Sequence, residues 1–145
     1  MDFRNDIVGF GRLLFESGDL DPIYVALNAI KLPEDQLKRW LMAYWYFYSA
    51  GFACYASEYE HKPFWKLLLT AAQNTKPTPN GARWPRGTER RHFRGSKAVS
   101  TVRWLASNSP ESYVDELVDG PNDVCSVIER ARKLPMNGDW IAFKI

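Results

Sequence analysis

Five arginines, a lysine and a histidine surround a single acid, Glu89, in RWPRGTERRHFRGSK, residues 83–97. A guanidinium is a planar fork that meets two phosphate oxygens at once, which a lysine ammonium does not do. Arg83, Arg86, Arg90, Arg91, Arg94 and Lys97 are therefore expected to bind a polyanion, a pyrophosphate or a DNA backbone, where the loop enters a helix. The rival reading is a solvated cationic surface. It is the weaker one, because arginine dominates and Trp84 and Phe93 sit among the charges. Between Lys76 and Lys97 stand seven basic residues and one acid, while the rest of the chain has 12 basic against 16 acidic residues. The loop is a cationic island in a mildly acidic protein. Acid–base candidates are few: Glu89 and His92 inside the loop, and Glu58 upstream. A glutamate next to Arg90 and Arg91 is more often their structural partner.

The elements that must position this loop read as helices. The apolar spacing of Phe3, Ile7, Phe10, Leu13 and Leu14 predicts a first amphipathic helix ending at Ser17-Gly18-Asp19. DPIYVALNAIKL predicts a second, with Asp21 as its cap and Pro22 in first position. A long central helix is expected from Pro33, with two acids in its first turn, through to Glu58. Tyr44, Tyr48 and Tyr55 would share one of its faces, as lining for a base pocket or as plain core. Lys62–Asn74 follows as another helix, then the loop with its prolines and glycines, then three helices capped by Ser, Ser, and Asn or Asp. No alternating run is long enough for a strand. The prediction is an all-α protein of seven or eight helices, residues 1–145 forming one helical domain.

Other classes are disfavoured. Residues 40–57 run 18 positions without a charge, but tyrosines, tryptophans, serines and a glycine fill the middle, unlike a membrane span. The N-terminus lacks a basic segment followed by an apolar core, so it does not read as a signal peptide. Cys54 and Cys125 read as buried thiols, and with only two histidines no metal-ligand spacing occurs. No cofactor is expected.

Near the end, Leu134-Pro135-x-x-Gly138-x-Trp140-x-Ala142 resembles the helix-hairpin-helix of base-excision DNA glycosylases, whose pattern is Leu/Phe-Pro-Gly-x-Gly-x-x-x-Ala. That motif aims backbone N–H groups at a DNA phosphate, which places Asn137 and Gly138 among the expected DNA contacts. Gly138 would be the position where no side chain may intervene. Met136 departs from the pattern's first glycine, with Asn137 beside it able to take a left-handed conformation. An ordinary corner between two helices would look the same. The resemblance puts a nucleophilic lysine, in strand-cleaving glycosylases, at the slot held here by Trp140. The glycosylase aspartate would fall beyond Ile145, and the chain is expected to be the N-terminal portion of a longer protein.

A fuller resemblance runs over nearly the whole chain. LMAYWYFYSAGFACYASE, Phe64-Trp65, Ala71-Ala72, WPRGTERRHFRG and GDWIAFK, in that order, resemble the phage α-glutamyl/putrescinyl thymine pyrophosphorylases, also called amino acid:DNA transferases. That resemblance implies a helix-hairpin-helix glycosylase-like fold in a host cytoplasm. It also implies DNA carrying a pyrophosphorylated 5-hydroxymethyl base as substrate, with an amino acid or polyamine displacing the pyrophosphate. Two rival readings are a nonenzymatic DNA-binding module and a base-excision glycosylase.

Overall fold

The computed structural model describes residues 9, 12, 16, 21–108, 110–121 and 123–145. Among these the protein is all-α: α1 (Pro22–Ile30), α2 (Glu34–Phe47), α3 (Ala50–Ser57), α4 (His61–Gln73), α5 (Gly95–Ser107), α6 (Pro110–Asp119), α7 (Val124–Arg132) and α8 (Asp139–Lys144), with a 3-10 turn at Thr88–Arg90. Of the helix expected over Phe3 to Leu14 only residues 9 and 12 are described, both helical, and the serine cap expected at Ser109 lies outside the described residues. The chain packs as two compact units. One is Pro33–Glu116, and the other joins Met1–Leu32 to Leu117–Ile145.

Local chemistry sets most helix starts. The Asp21 carboxylate accepts from the Ile23 N–H at 2.9 Å, with Pro22 next in line. Glu34 and Asp35 occupy the first turn of α2. Asp123 accepts from the Ser126 N–H at 3.0 Å and from the Ser126 hydroxyl at 2.6 Å, and these bonds hold its carboxyl below the usual range. One expected cap fails: α5 starts at Gly95, with Arg94 in the cap position and Ser96 already inside the helix.

The central helix is not continuous. It breaks at Tyr48, which turns left-handed (φ 49°, ψ 44°), and Ser49 then caps α3 by accepting from the Phe52 N–H. In an unbroken helix the Phe47 carbonyl would accept from Gly51; here it accepts from Gly87 N–H at 2.9 Å, in the cationic loop. The break also divides the uncharged run, and no helix among the described residues is long and apolar enough to cross a membrane.

Helix C-termini show a recurrent device. From α1 to α6 no helix has a basic residue in its last turn. Instead, arginines from elsewhere reach four of those ends. Arg39 donates to the Ser57 carbonyl of α3 at 3.2 Å, and Arg90 to the Trp45 carbonyl of α2 at 2.7 Å. Arg86 donates to the Ala71 carbonyl of α4, and Arg130 to the Leu117 carbonyl of α6 at 3.1 Å. The last carbonyls lack intrahelical donors and sit at the negative pole of the helix dipole, so a guanidinium satisfies both needs.

The core of the Pro33–Glu116 unit is aromatic. Phe47 meets Phe52 with ring centroids 4.5 Å apart and Phe93 edge-on at 5.3 Å. Leu68, Val102 and Leu105 complete it from α4 and α5. Lys38 ties α2 to α6 by bridging Glu34 at 2.8 Å and Asp115 at 2.7 Å. The cysteines depart from expectation, since both are exposed. Cys54 lies at the rim, its sulfur accepting from the Trp40 indole N–H at 3.2 Å.

Candidate functional site

The cationic loop is built from the inside out. Trp84 is buried, donates its indole N–H to the Lys76 carbonyl at 2.9 Å, and meets Phe52 edge-on at 5.9 Å. Gly87 then presses against the end of α2. A Cβ there would stand 2.2 Å from the Tyr48 carbonyl oxygen, so only glycine permits the approach that the Phe47 bond needs. The 3-10 turn that follows sends Arg90 inward and Phe93 behind it.

Arg90 is 4% exposed. Besides its bond to Trp45, its guanidinium lies 5.1 Å from the centre of the Tyr46 ring and 5.9 Å from that of Phe93. Burial lowers its pKa to about 10, so the group stays protonated at neutral pH. Arg86 is likewise committed. Its Nε donates to the Phe93 carbonyl at 2.7 Å, and its Nη1 to the Trp84 carbonyl at 3.2 Å and the Asn74 Oδ1 at 3.3 Å. Burial lowers its pKa first, and the charge of Arg94 lowers it further.

The sequence reading counted Arg86 and Arg90 with the phosphate-facing set, and in the structure both side chains are engaged within the protein. Their forks are turned inward onto helix carbonyls and aromatic rings, where they build the loop. Arg83, Arg91, Arg94 and Lys97 remain exposed. Of these, Arg94 holds the N-cap position of α5, and Lys97 lies in that helix's first turn. The first turn contains no acid, and no side chain caps it. The positive pole of a 13-residue helix thus carries added cations, an arrangement unfavourable alone and favourable around an anion.

The acid–base candidates are spread out. His92 is exposed, and its Nε2 accepts from Arg91 Nε at 3.0 Å. Glu89 is half-buried within the 3-10 turn. Glu58 stands exposed at the C-cap of α3, outside the loop.

The tyrosines do not form the expected single face. Tyr44 is buried and stacks on Trp40 and Tyr48, both at 4.9 Å. Tyr55 lies beyond the break, exposed, its hydroxyl accepting from Tyr59 at 3.0 Å. The left-handed turn at Tyr48 ends the helical register that would have aligned them. Among the described residues, no group of three His, Cys, Asp or Glu could hold a metal ion.

The hairpin belongs to the other unit. It runs from α7 to α8, and its left-handed residue is Met136 (φ 62°), the slot of the glycosylase pattern's first glycine, rather than Asn137. Asn137 is buried, and its amide donates to the Ala131 carbonyl at 3.1 Å while its N–H donates to the Leu134 carbonyl at 3.2 Å. It staples the turn to α7. Gly138 is extended (φ −75°), and a Cβ there would meet nothing within 4 Å. Within this chain nothing demands glycine at that position. Trp140 is 63% exposed, with the Lys144 ammonium 5.1 Å from the centre of its ring.

No family model matches the chain. Over 139 residues it is 43% identical to a glycinyltransferase of Pseudomonas phage PaMx11, an alignment covering 94% of this chain and 48% of that protein. Over 104 residues it is 29% identical to a putrescinyltransferase of Delftia phage PhiW-14, covering 70% of this chain and 31% of that protein. The chain spans about half the length of the first relative and about a third of the second.

Proposed function

We propose, from its similarity to these two phage transferases, that the chain serves an enzyme attaching an amino acid or polyamine to a thymine-derived base in DNA. The observation that carries this reading is the start of α5: an uncapped helix N-terminus without acids, with Arg94 at its cap, Lys97 in its first turn and Arg91 exposed in the loop just before it. It suits the pyrophosphate of a 5-pyrophosphoryloxymethyl base and the phosphates beside it.

The proposed step breaks the bond between the 5-methylene carbon and the pyrophosphate oxygen, and the electron pair leaves with pyrophosphate. The amine nitrogen forms the new bond and gives up a proton. Negative charge grows on the leaving group, and fixed cations aimed at it stabilise that growth more than they stabilise the ground state. The amine must attack uncharged, which calls for a base; His92 and Glu89 stand in the loop itself. Arg86 and Arg90 hold the cations in place from below.

Salt dependence tests the division between outer and inner arginines. Replacing Arg91 or Arg94 with alanine should reduce the log–log slope of DNA binding against salt by about 0.9 for each duplex phosphate no longer neutralised, or about 0.7 on single strands. An unchanged slope in a folded variant would count against the site.

The hairpin gives a further expectation. With Trp140 where strand-cleaving glycosylases hold a lysine, no Schiff base should form on it. Borohydride treatment in the presence of abasic DNA should leave the hairpin unmodified. A trapped adduct on Lys144 would show lyase chemistry and refute the assignment.

A further inference from the structure

The solvent face of α5 continues the cationic loop. Ala98, Thr101, Val102 and Leu105 are buried on one side of this helix, while Lys97, Ser100, Arg103, Trp104 and Ser107 are exposed on the other. Their spacing of three, four and seven residues puts them on one face. The helix has no acidic residue anywhere along its length. Lys97 and Trp104 are separated by about 10 Å at 1.5 Å per residue, close to three nucleotide steps of roughly 3.4 Å along one DNA strand.

We propose that this face is a strand-binding track: Arg103 takes a DNA phosphate beyond those held by the loop, and Trp104 offers its indole face to a base or sugar of the same strand. The inference rests on the DNA-modifying reading above and extends it to residues outside the loop. Charge complementarity selects the partner, since an all-basic, serine-bearing face suits a phosphodiester strand and repels a cationic one. An exposed indole matters because an enzyme that modifies a base must take it out of the stack, which leaves neighbouring bases open to aromatic contact.

Two ligands separate the track from the loop: inorganic pyrophosphate, which reaches only the loop, and a single-stranded oligonucleotide long enough to follow α5. Arg103→Gln should leave pyrophosphate affinity unchanged and lower the oligonucleotide salt slope by about 0.7. Trp104→Ala should weaken the oligonucleotide about tenfold at constant slope. Arg94→Gln should weaken both ligands. If Arg103→Gln and Trp104→Ala bind the oligonucleotide like wild type while Arg94→Gln does not, the track is wrong and the loop site stands. If Arg94→Gln also leaves both ligands untouched, the underlying reading fails. A change in oligomeric state with Trp104→Ala, without a DNA effect, would mark the face as a contact between copies and overturn the track.

Discussion

Arg90→Met should lower stability by about 3 kcal/mol, from the loss of a charge-assisted hydrogen bond inside the core. Methionine restores much of the volume but not the fork. The Trp45 carbonyl loses its guanidinium donor, and the Tyr46 and Phe93 rings lose their cation. Relief from burying a charge works the other way, since burial already lowers the Arg90 pKa to about 10, and it keeps the net destabilisation below the sum of the broken interactions. A chain of this length should melt about 10 °C lower. The sign of the pH dependence follows from the lowered pKa. The folded state sheds this proton before the unfolded one does, so the titration of the group adds a further, pH-dependent increment of stability only as pH climbs through about 10. The gap between wild type and variant should therefore stay flat from about pH 6 to 9. A melting temperature matching wild type would contradict the structural role of Arg90.

Gly87→Ala should weaken DNA binding without changing any charge. The backbone at Gly87 (φ −70°, ψ 165°) is open to alanine, so the obstacle is purely steric. The new Cβ would lie 2.2 Å from the Tyr48 carbonyl oxygen and 2.9 Å from the Tyr48 Cβ. Relief requires the loop to lift from the end of α2, which breaks the bond from Gly87 N–H to Phe47 and moves Arg91 and Arg94 with it. Overpacking of this kind costs about 1–3 kcal/mol, and a tenfold loss of affinity corresponds to about 1.4 kcal/mol. Affinity should fall by roughly that factor while the salt slope, which counts neutralised phosphates, stays near wild type. Wild-type affinity in the folded variant would mean that the loop does not need this docking.

Features governed by neighbouring residues were legible in the sequence. Asp21 and Asp123 cap the helices that follow them, and the prolines at 22 and 33 mark helix starts, because these effects act within a turn. The break at Tyr48 was not legible. The partner that takes the freed Phe47 carbonyl, Gly87, is distant in sequence. The Arg-Gly step at 86–87 was the available signal, a glycine where two backbones meet closely. The sorting of the arginines was equally hidden, since all five have the same chemistry and only tertiary packing decides which point inward. At the hairpin, the spacing of Leu134, Gly138 and Ala142 pointed to a turn between helices. The left-handed residue was misplaced by one, because Asn137 is used as a staple and Met136 takes the strained conformation.

The most direct test follows the base itself. DNA bearing 5-pyrophosphoryloxymethyl-uracil would be incubated with the intact protein and glycine or putrescine, then digested to nucleosides for mass spectrometry. The expected result is a nucleoside carrying the amine through a carbon–nitrogen bond, with one free pyrophosphate for each, and a slower yield when Arg91, Arg94 and Lys97 are changed together to glutamine. Recovery of the starting nucleoside, the appearance of abasic sites in its place, or an undiminished rate in the triple variant would contradict it.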